Sequence, residues 1–262
     1  MIFEQTMETL RKMKLTAMAD ELKRQQEDAE NYRVLGFEDR LRLLVDAEWN
    51  RRQSNKLTRY IKNAAFAIPG ACVENIEYLE DRRLDKGQIL RFSACTYIDE
   101  GHHIILKGAS GNGKTYISNA LGNAACRKFK SVRYIRMPEL LDELNVAKGC
   151  GTFKKLIRSY QKVELLILDE WLIRPLTQQE SYDLLEIIEA RCNGGSIIFC
   201  TQYEPEDWYH RLCGSNDSNE EGSPITDAIM DRIIHNSYEV LIDGRVSMRE
   251  RYGLKMKGDC HD

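Results

Sequence analysis

ILKGASGNGKTYISNAL, residues 105–121, decides how the chain folds. Two aliphatic residues enter a glycine-rich turn, and a Lys-Thr pair and a helix-like pattern leave it. The turn runs Gly108, Ala109, Ser110, Gly111, Asn112, Gly113, Lys114, Thr115 and fits G-x-x-x-x-G-K-[ST] at every fixed position. Glycines let the backbone curl so that successive N–H groups converge on phosphate oxygens. The helix that follows adds the positive end of its dipole. Lys114 offers a cation to the outer phosphates, and Thr115 offers a hydroxyl to Mg2+.

Such a loop needs a second strand ending in acid. Leu165-Leu166-Ile167-Leu168-Asp169-Glu170 supplies it. Asp169 is placed to hold the Mg2+ water shell, and Glu170 to orient or deprotonate an attacking water. A third apolar strand, from Ser196, ends in Thr201 and Gln202. These two either touch the γ-phosphate or simply begin a turn. Arg232 and Arg249 face either a nucleotide or solvent, because surface arginine is common.

Around these motifs the chain changes character. Residues 1 to about 66 show helical spacing only: Phe3, Met7, Leu10, Met13, Ala17, and then, after Gly36, Phe37, Leu41, Val45 and Trp49. Pro69-Gly70 is a strong breaker, and residues 85–99 are expected to form one further helix. Beyond it, short β-rich runs alternate with helical ones, the pattern of an α/β domain with a mostly parallel sheet flanked by helices. The expected division is a helical domain over 1–90, the α/β domain over 91–254, and a tail over 255–262. The polar, acidic stretch 213–223 is expected to be a surface loop.

Bulk numbers exclude more than they select. The 262 residues are 42% apolar and 30% charged, with a net charge of −3, so no global charge marks a nucleic-acid binder. No apolar run approaches a membrane span, and the start lacks a signal-peptide core. The eight cysteines form no C-x-x-C and do not pair with the five histidines at ligand spacing. Buried, reduced thiols in a cytoplasmic protein are the expectation.

Taken together, the ordered motifs resemble the IstB-like transposition helper ATPases, AAA+ relatives of the DnaC helicase loader. The resemblance covers nearly the whole chain. It rests on LRKMKLTAMADELKRQ, GFEDRLRLLVDAEWNRR, the P-loop region, YQKVELLILDEW, SIIFCTQYEPEDW, DAIMDRIIH and a closing G-x-S-x-R of Gly244, Ser247 and Arg249. It implies a P-loop AAA+ core, ATP with Mg2+ as ligands, and ATP sites shared between subunits of a homo-oligomer. By the same resemblance Thr201 and Gln202 hold the sensor 1 position, Arg232 is an arginine finger for a neighbouring subunit, and Arg249 is a sensor 2-like contact. Trp171 departs from the family pattern, which carries an aliphatic residue there, and the acidic loop looks longer than the family's.

The resemblance also implies duplex DNA and a transposase as partners. Residues 1–95 carry 17 Lys/Arg against 16 Asp/Glu, and the rest carries 21 against 25. The one concentrated basic stretch holds Arg51, Arg52, Lys56, Arg59 and Lys62, with no acid from residue 49 to 73. On a helix Arg52, Lys56 and Arg59 share a face and Lys62 continues it. Such a row either tracks DNA phosphates or is a solvated surface. A DnaC-like loader of a replicative helicase is the alternative function, and a nucleotide-gated adaptor that does not hydrolyse ATP is a third. The intact Glu170 argues against the last.

Overall fold

The computed structural model describes residues 2–192, 194–213, 223–244 and 247–252, the side chains of Arg249 and Tyr252 excepted. The chain divides into two compact units, Met1–Arg59 and Tyr60–Asp262. That division falls well before the boundary near residue 90 expected from the sequence. The reason is visible in residues 66–73. Phe66, Ala71 and Val73 are buried, and side chains of the helix behind the P-loop bind this stretch. Asn119 Oδ1 accepts from the Ile68 amide at 2.9 Å, and Asn123 Nδ2 donates to the carbonyls of Pro69 and Ala71. Residues after 59 therefore belong to the α/β core.

The first unit contains α1 (Ile2–Lys12), α2 (Thr16–Glu27), α3 (Ala29–Tyr32) and most of α4, which spans Phe37–Ala64 and continues into the second unit. The apolar spacing over 3–17 is interrupted: α1 stops at Lys12, and Lys14 takes a left-handed φ of 60°. No side chain at the N-cap of α2 serves its free amides. Glu48 does so from α4, its Oε2 accepting from the amide of Ala17 at 3.0 Å, with Met18 close by. Arg52 and Arg51 close on the same carboxylate. Burial alone would raise the Glu48 pKa. Arg52, Arg51 and the two amides outweigh it and hold the group down at about 2.

The stripe Phe37, Leu41, Val45, Trp49 is helical, as its spacing predicts, yet it faces outward. Those residues are 79%, 42%, 50% and 61% exposed. The face of α4 turned inward carries Glu48 instead, while Arg40 exchanges hydrogen bonds with Gln25 of α2.

The second unit is a five-stranded parallel sheet in the order β2-β3-β4-β1-β5, made of β1 (His103–Lys107), β2 (Val132–Arg136), β3 (Leu165–Asp169), β4 (Ser196–Thr201) and β5 (Ser237–Leu241). Every residue of β3 and β4 is buried, as parallel strands covered on both faces require. Before β1 lie α5 (Lys86–Ser93) and α6 (Thr96–Asp99). The expected single helix over 85–99 breaks at Cys95, which adopts a left-handed φ of 65°.

Between the strands run α7 (Lys114–Arg127), α8 (Met137–Gly149), α9 (Phe153–Lys162), α10 (Gln178–Arg191) and α11 (Pro205–Leu212); α12 (Pro224–Ile234) precedes β5, and α13 (Met248–Tyr252) ends the described chain. Thr177 and Glu180 form a reciprocal cap at the start of α10. Arg191, 2% exposed, donates to the carbonyls of Tyr160, Val163 and Ser196 and so ties α10 to the loops entering β3 and β4.

Among the described residues no helix is long and apolar enough to cross a membrane. No cluster of three or more His, Cys, Asp or Glu side chains there could hold a metal. The described cysteines are free. Cys95, Cys126 and Cys200 are buried as expected, whereas Cys150 and Cys192 are exposed. Residues 214–222 of the acidic loop and the tail over 255–262 lie outside the described residues.

Candidate nucleotide site

β1 ends at Lys107, and the chain turns at once into the P-loop. Gly108 lies against the backbone leaving β5: a Cβ there would sit 2.2 Å from the Ile242 carbonyl oxygen. Gly111 and Gly113 take φ of +85° and +86°, the left-handed geometry that curls the loop. Asn112 is buried and spends its side chain on that curl, donating to the Ile242 carbonyl at 2.9 Å. Its own carbonyl accepts from Arg82 at 2.8 Å. The Gly111 carbonyl accepts from the Met248 amide at 2.9 Å, which sets α13 beside the loop.

Lys114 folds back over the loop, its Nζ donating to the carbonyls of Gly108 at 2.6 Å and Ala109 at 2.9 Å. Across the cleft, Thr115 Oγ1 donates to Asp169 Oδ2 at 2.7 Å. The same oxygen accepts from Tyr134 at 2.8 Å, and Oδ1 accepts from the Glu170 amide at 2.9 Å. Thus the two sequence motifs, far apart in the chain, meet at one carboxylate.

Glu170 adopts a left-handed φ of 55°, unusual for a non-glycine residue. Its two carboxylate oxygens accept from Arg136 Nη2, both at 2.7 Å. Arg136 also lies 3.6 Å from Glu139. The Glu170 carboxylate is thus held by a cation from β2.

The cleft between these groups has a volume of about 380 Å³, with Ser110, Gly113, Thr115, Glu170 and Gln202 among its walls. A second cavity of about 270 Å³ adjoins it at Gly113, lined mainly by apolar surface from Ile76, Tyr116, Ile117 and Met248. Phosphates suit the first and a flat base suits the second. A roomier groove of about 820 Å³ along α8 and α9 carries Glu139, Asp142 and Glu143 on its walls. Those acids repel phosphate, so size does not mark the site here.

The structure separates other candidates. Gln202 lines the cleft, but Thr201 is buried and turned toward backbone, its Oγ1 accepting from the Tyr203 amide at 3.1 Å. Thr201 thereby begins a turn, as one of the two sequence readings allowed. Arg232 is not at the cleft: on α12 it donates to the Ala228 carbonyl and to Glu189 of α10, both at 2.8 Å. Arg249 sits on α13 next to Met248, and its side chain lies outside the described residues. Arg51 and Arg52 are engaged with Glu48, while Arg52, Lys56, Arg59 and Lys62 are exposed along α4.

Sequence reasoning missed Tyr134, Arg136, Arg82 and Tyr116. A Tyr-x-Arg on β2 carries no motif by itself. Only the register, with Arg136 opposite Asp169, brings that strand to the two acids.

The donor set fits a magnesium nucleotide. A hydroxyl and one carboxylate leave most of the coordination sphere to phosphates and water, as Mg2+ prefers. Comparisons with known proteins agree with the geometry. The model of the IstB-like ATP binding protein family matches residues 8–256. A protein of Sinorhizobium fredii named as an insertion sequence ATP-binding protein is 33% identical over 254 residues, covering 96% of this chain and 98% of its own. One from Pseudomonas fluorescens, named for insertion sequence IS1162, is 35% identical over 202 residues, 77% of this chain and 87% of its own.

Among solved structures, DnaI superposes with a TM-score of 0.55 at 22% identity over 69% of this chain and 91% of its own. The DnaC helicase loader gives 0.54 at 17% identity over 66% and 97%. AMPPCP-bound DnaA from Aquifex aeolicus gives 0.55 at 20% identity over 69% and 52%. These likenesses establish the AAA+ fold. With a family match spanning almost its whole length and the P-loop facing its acidic strand, the chain belongs to the IstB-like ATP-binding proteins of insertion sequences.

Proposed function

We propose that this chain is a magnesium-dependent ATPase that assembles on duplex DNA and delivers that DNA to, or activates, a partner transposase. The observation that carries the ATPase reading is the Thr115–Asp169 hydrogen bond, which joins the P-loop to the acidic strand with Glu170 one residue on. The P-loop amides and the N-terminus of α7 receive the phosphates. Lys114 leaves the carbonyls of Gly108 and Ala109 for the outer phosphate oxygens. Thr115 and Asp169 would hold Mg2+, which when bound offsets charge on those oxygens. Glu170, once released by Arg136, accepts a proton from the attacking water. Gln202 reaches the same cleft and suits a contact to that water or the γ-phosphate.

Hydrolysis is completed by a second copy. Arg232 leaves Glu189 and places its guanidinium against charge developing on a neighbour's γ-phosphate. The family resemblance gives Arg249, which lies on α13, a sensor 2-like contact with the nucleotide. Assembly and turnover are thereby linked, since a lone subunit lacks the finger. DNA contact falls to Lys56, Arg59 and Lys62 on α4, joined by Arg51 and Arg52, which also hold Glu48. Repetition along an oligomer turns a few phosphate contacts per subunit into firm binding.

Two variants test this directly. Arg232→Ala and Lys114→Ala should each be inactive alone, and mixing them should restore turnover, because the defects sit on opposite sides of a shared site. Turnover per subunit should also rise with protein concentration and with added duplex DNA. A rate independent of concentration, with no rescue on mixing, contradicts a shared site. Glu170→Gln should still bind ATP and accumulate the DNA-bound assembly.

A further inference from the structure

The carboxylate of Asp169 has more donors than the P-loop requires. β2 runs beside β3 with Tyr134 opposite Ile167 and Arg136 opposite Asp169. Residues 134 and 136 lie on one face of the strand, and both side chains reach the C-terminal end of β3. Arg136 takes Glu170, and the Tyr134 hydroxyl takes Asp169 Oδ2 at 2.8 Å. Oδ2 also accepts from Thr115 at 2.7 Å. A carboxylate oxygen offers two in-plane acceptor sites. Two hydroxyls therefore fill Oδ2, and the Glu170 amide occupies one site on Oδ1 at 2.9 Å.

Tyr134, Thr115 and the Glu170 amide set the plane of the carboxylate, and the buried Cys200 thiol lies against it. Tyr134 is 6% exposed and Asp169 is 5%, so water competes poorly for either. A phenylalanine would fill the same space, so packing does not ask for the oxygen.

We propose that Tyr134 is a positioning residue that fixes the orientation of the Asp169 carboxylate toward the water shell of magnesium. This role rests on the ATPase reading above. Outer partners of a metal-holding group are worth about 10- to 100-fold in metal affinity.

The test is a titration of a fluorescent ATP analogue against wild type, Tyr134→Phe, Asp169→Asn and the double variant, first in chelator and then with rising Mg2+. Melting in chelator verifies that each is folded. Tyr134→Phe should bind the analogue normally in chelator yet need about tenfold more Mg2+ for the half-maximal gain. In the Asp169→Asn background the same change should add nothing. A Tyr134→Phe protein with the wild-type Mg2+ requirement overturns the role alone. A wild type with no Mg2+-dependent gain overturns the metal reading, and this role with it.

Discussion

The two units bury different things. In the α/β unit the central strands are apolar and sealed: Leu165, Leu166, Ile167 and Leu168 are all fully buried. In the helical unit the buried set includes Glu21, Gln25 and Glu48, while Phe37, Val45 and Trp49 are at least half exposed. The first unit's helices are joined by hydrogen bonds and ion pairs as much as by apolar burial. The second can hold an exact P-loop curl because its sheet is rigid and dry. Precision of the kind catalysis needs is thus built on the second unit, and the first presents an amphipathic face with a basic continuation along α4.

That contrast can be broken by mutation. Ile167→Ala, on the central strand, should cost about 2–5 kcal/mol in denaturant unfolding of the α/β unit. A loss below 1 kcal/mol would mean that this core is not the close-packed one described.

The helical unit should instead fail at its polar joint. Glu48→Gln should cost about 1–3 kcal/mol, read from helical CD during unfolding. The acid dependence follows from sign. The Glu48 pKa is about 2 in the folded unit, below the ordinary value of 4.5. Its stabilisation is complete above pH about 4.5 and is lost as pH falls toward 2. Glu48→Gln should flatten this part of the acid unfolding curve. An unaltered curve would show that Glu48 does not secure α2.

A smaller effect sharpens the view of the site. Arg136→Ala should raise unstimulated ATP turnover about three- to fivefold, the worth of a half-exposed ion pair of roughly 1 kcal/mol. A fall in turnover would show that Arg136 assists Glu170 rather than withholding it. Smallest of all, Val45→Ala should change the stability of the isolated chain by less than about 0.5 kcal/mol, despite its helical apolar spacing. A loss like that of Ile167→Ala would place the stripe in a core.

Glu48 and Glu180 show why some of this was legible in the sequence. Both cap a helix, and both have their pKa lowered to about 2. Glu180 does so three residues from Thr177, a local pattern that can be read directly from Thr-x-x-Glu. Glu48 does so about thirty residues from Ala17, and no spacing rule reaches that far. The site divides the same way. Lys114, Thr115, Asp169 and Glu170 are fixed by strand–turn–helix logic, so their motifs predicted that they meet at one cleft. Tyr134 and Arg136 depend on strand order and register. The apolar spacing of α4 predicted its helix but not which way the stripe faces, because periodicity carries no information about what covers a surface.

The most direct measurement is calorimetric titration of ATP into wild type and Lys114→Ala, each with Mg2+ and with chelator. The account predicts that wild type binds ATP, that Mg2+ tightens the binding, and that Lys114→Ala binds far more weakly in both conditions. Equal affinity of the two proteins, or no difference between Mg2+ and chelator for wild type, would contradict the joining of Lys114 and Asp169 around a triphosphate.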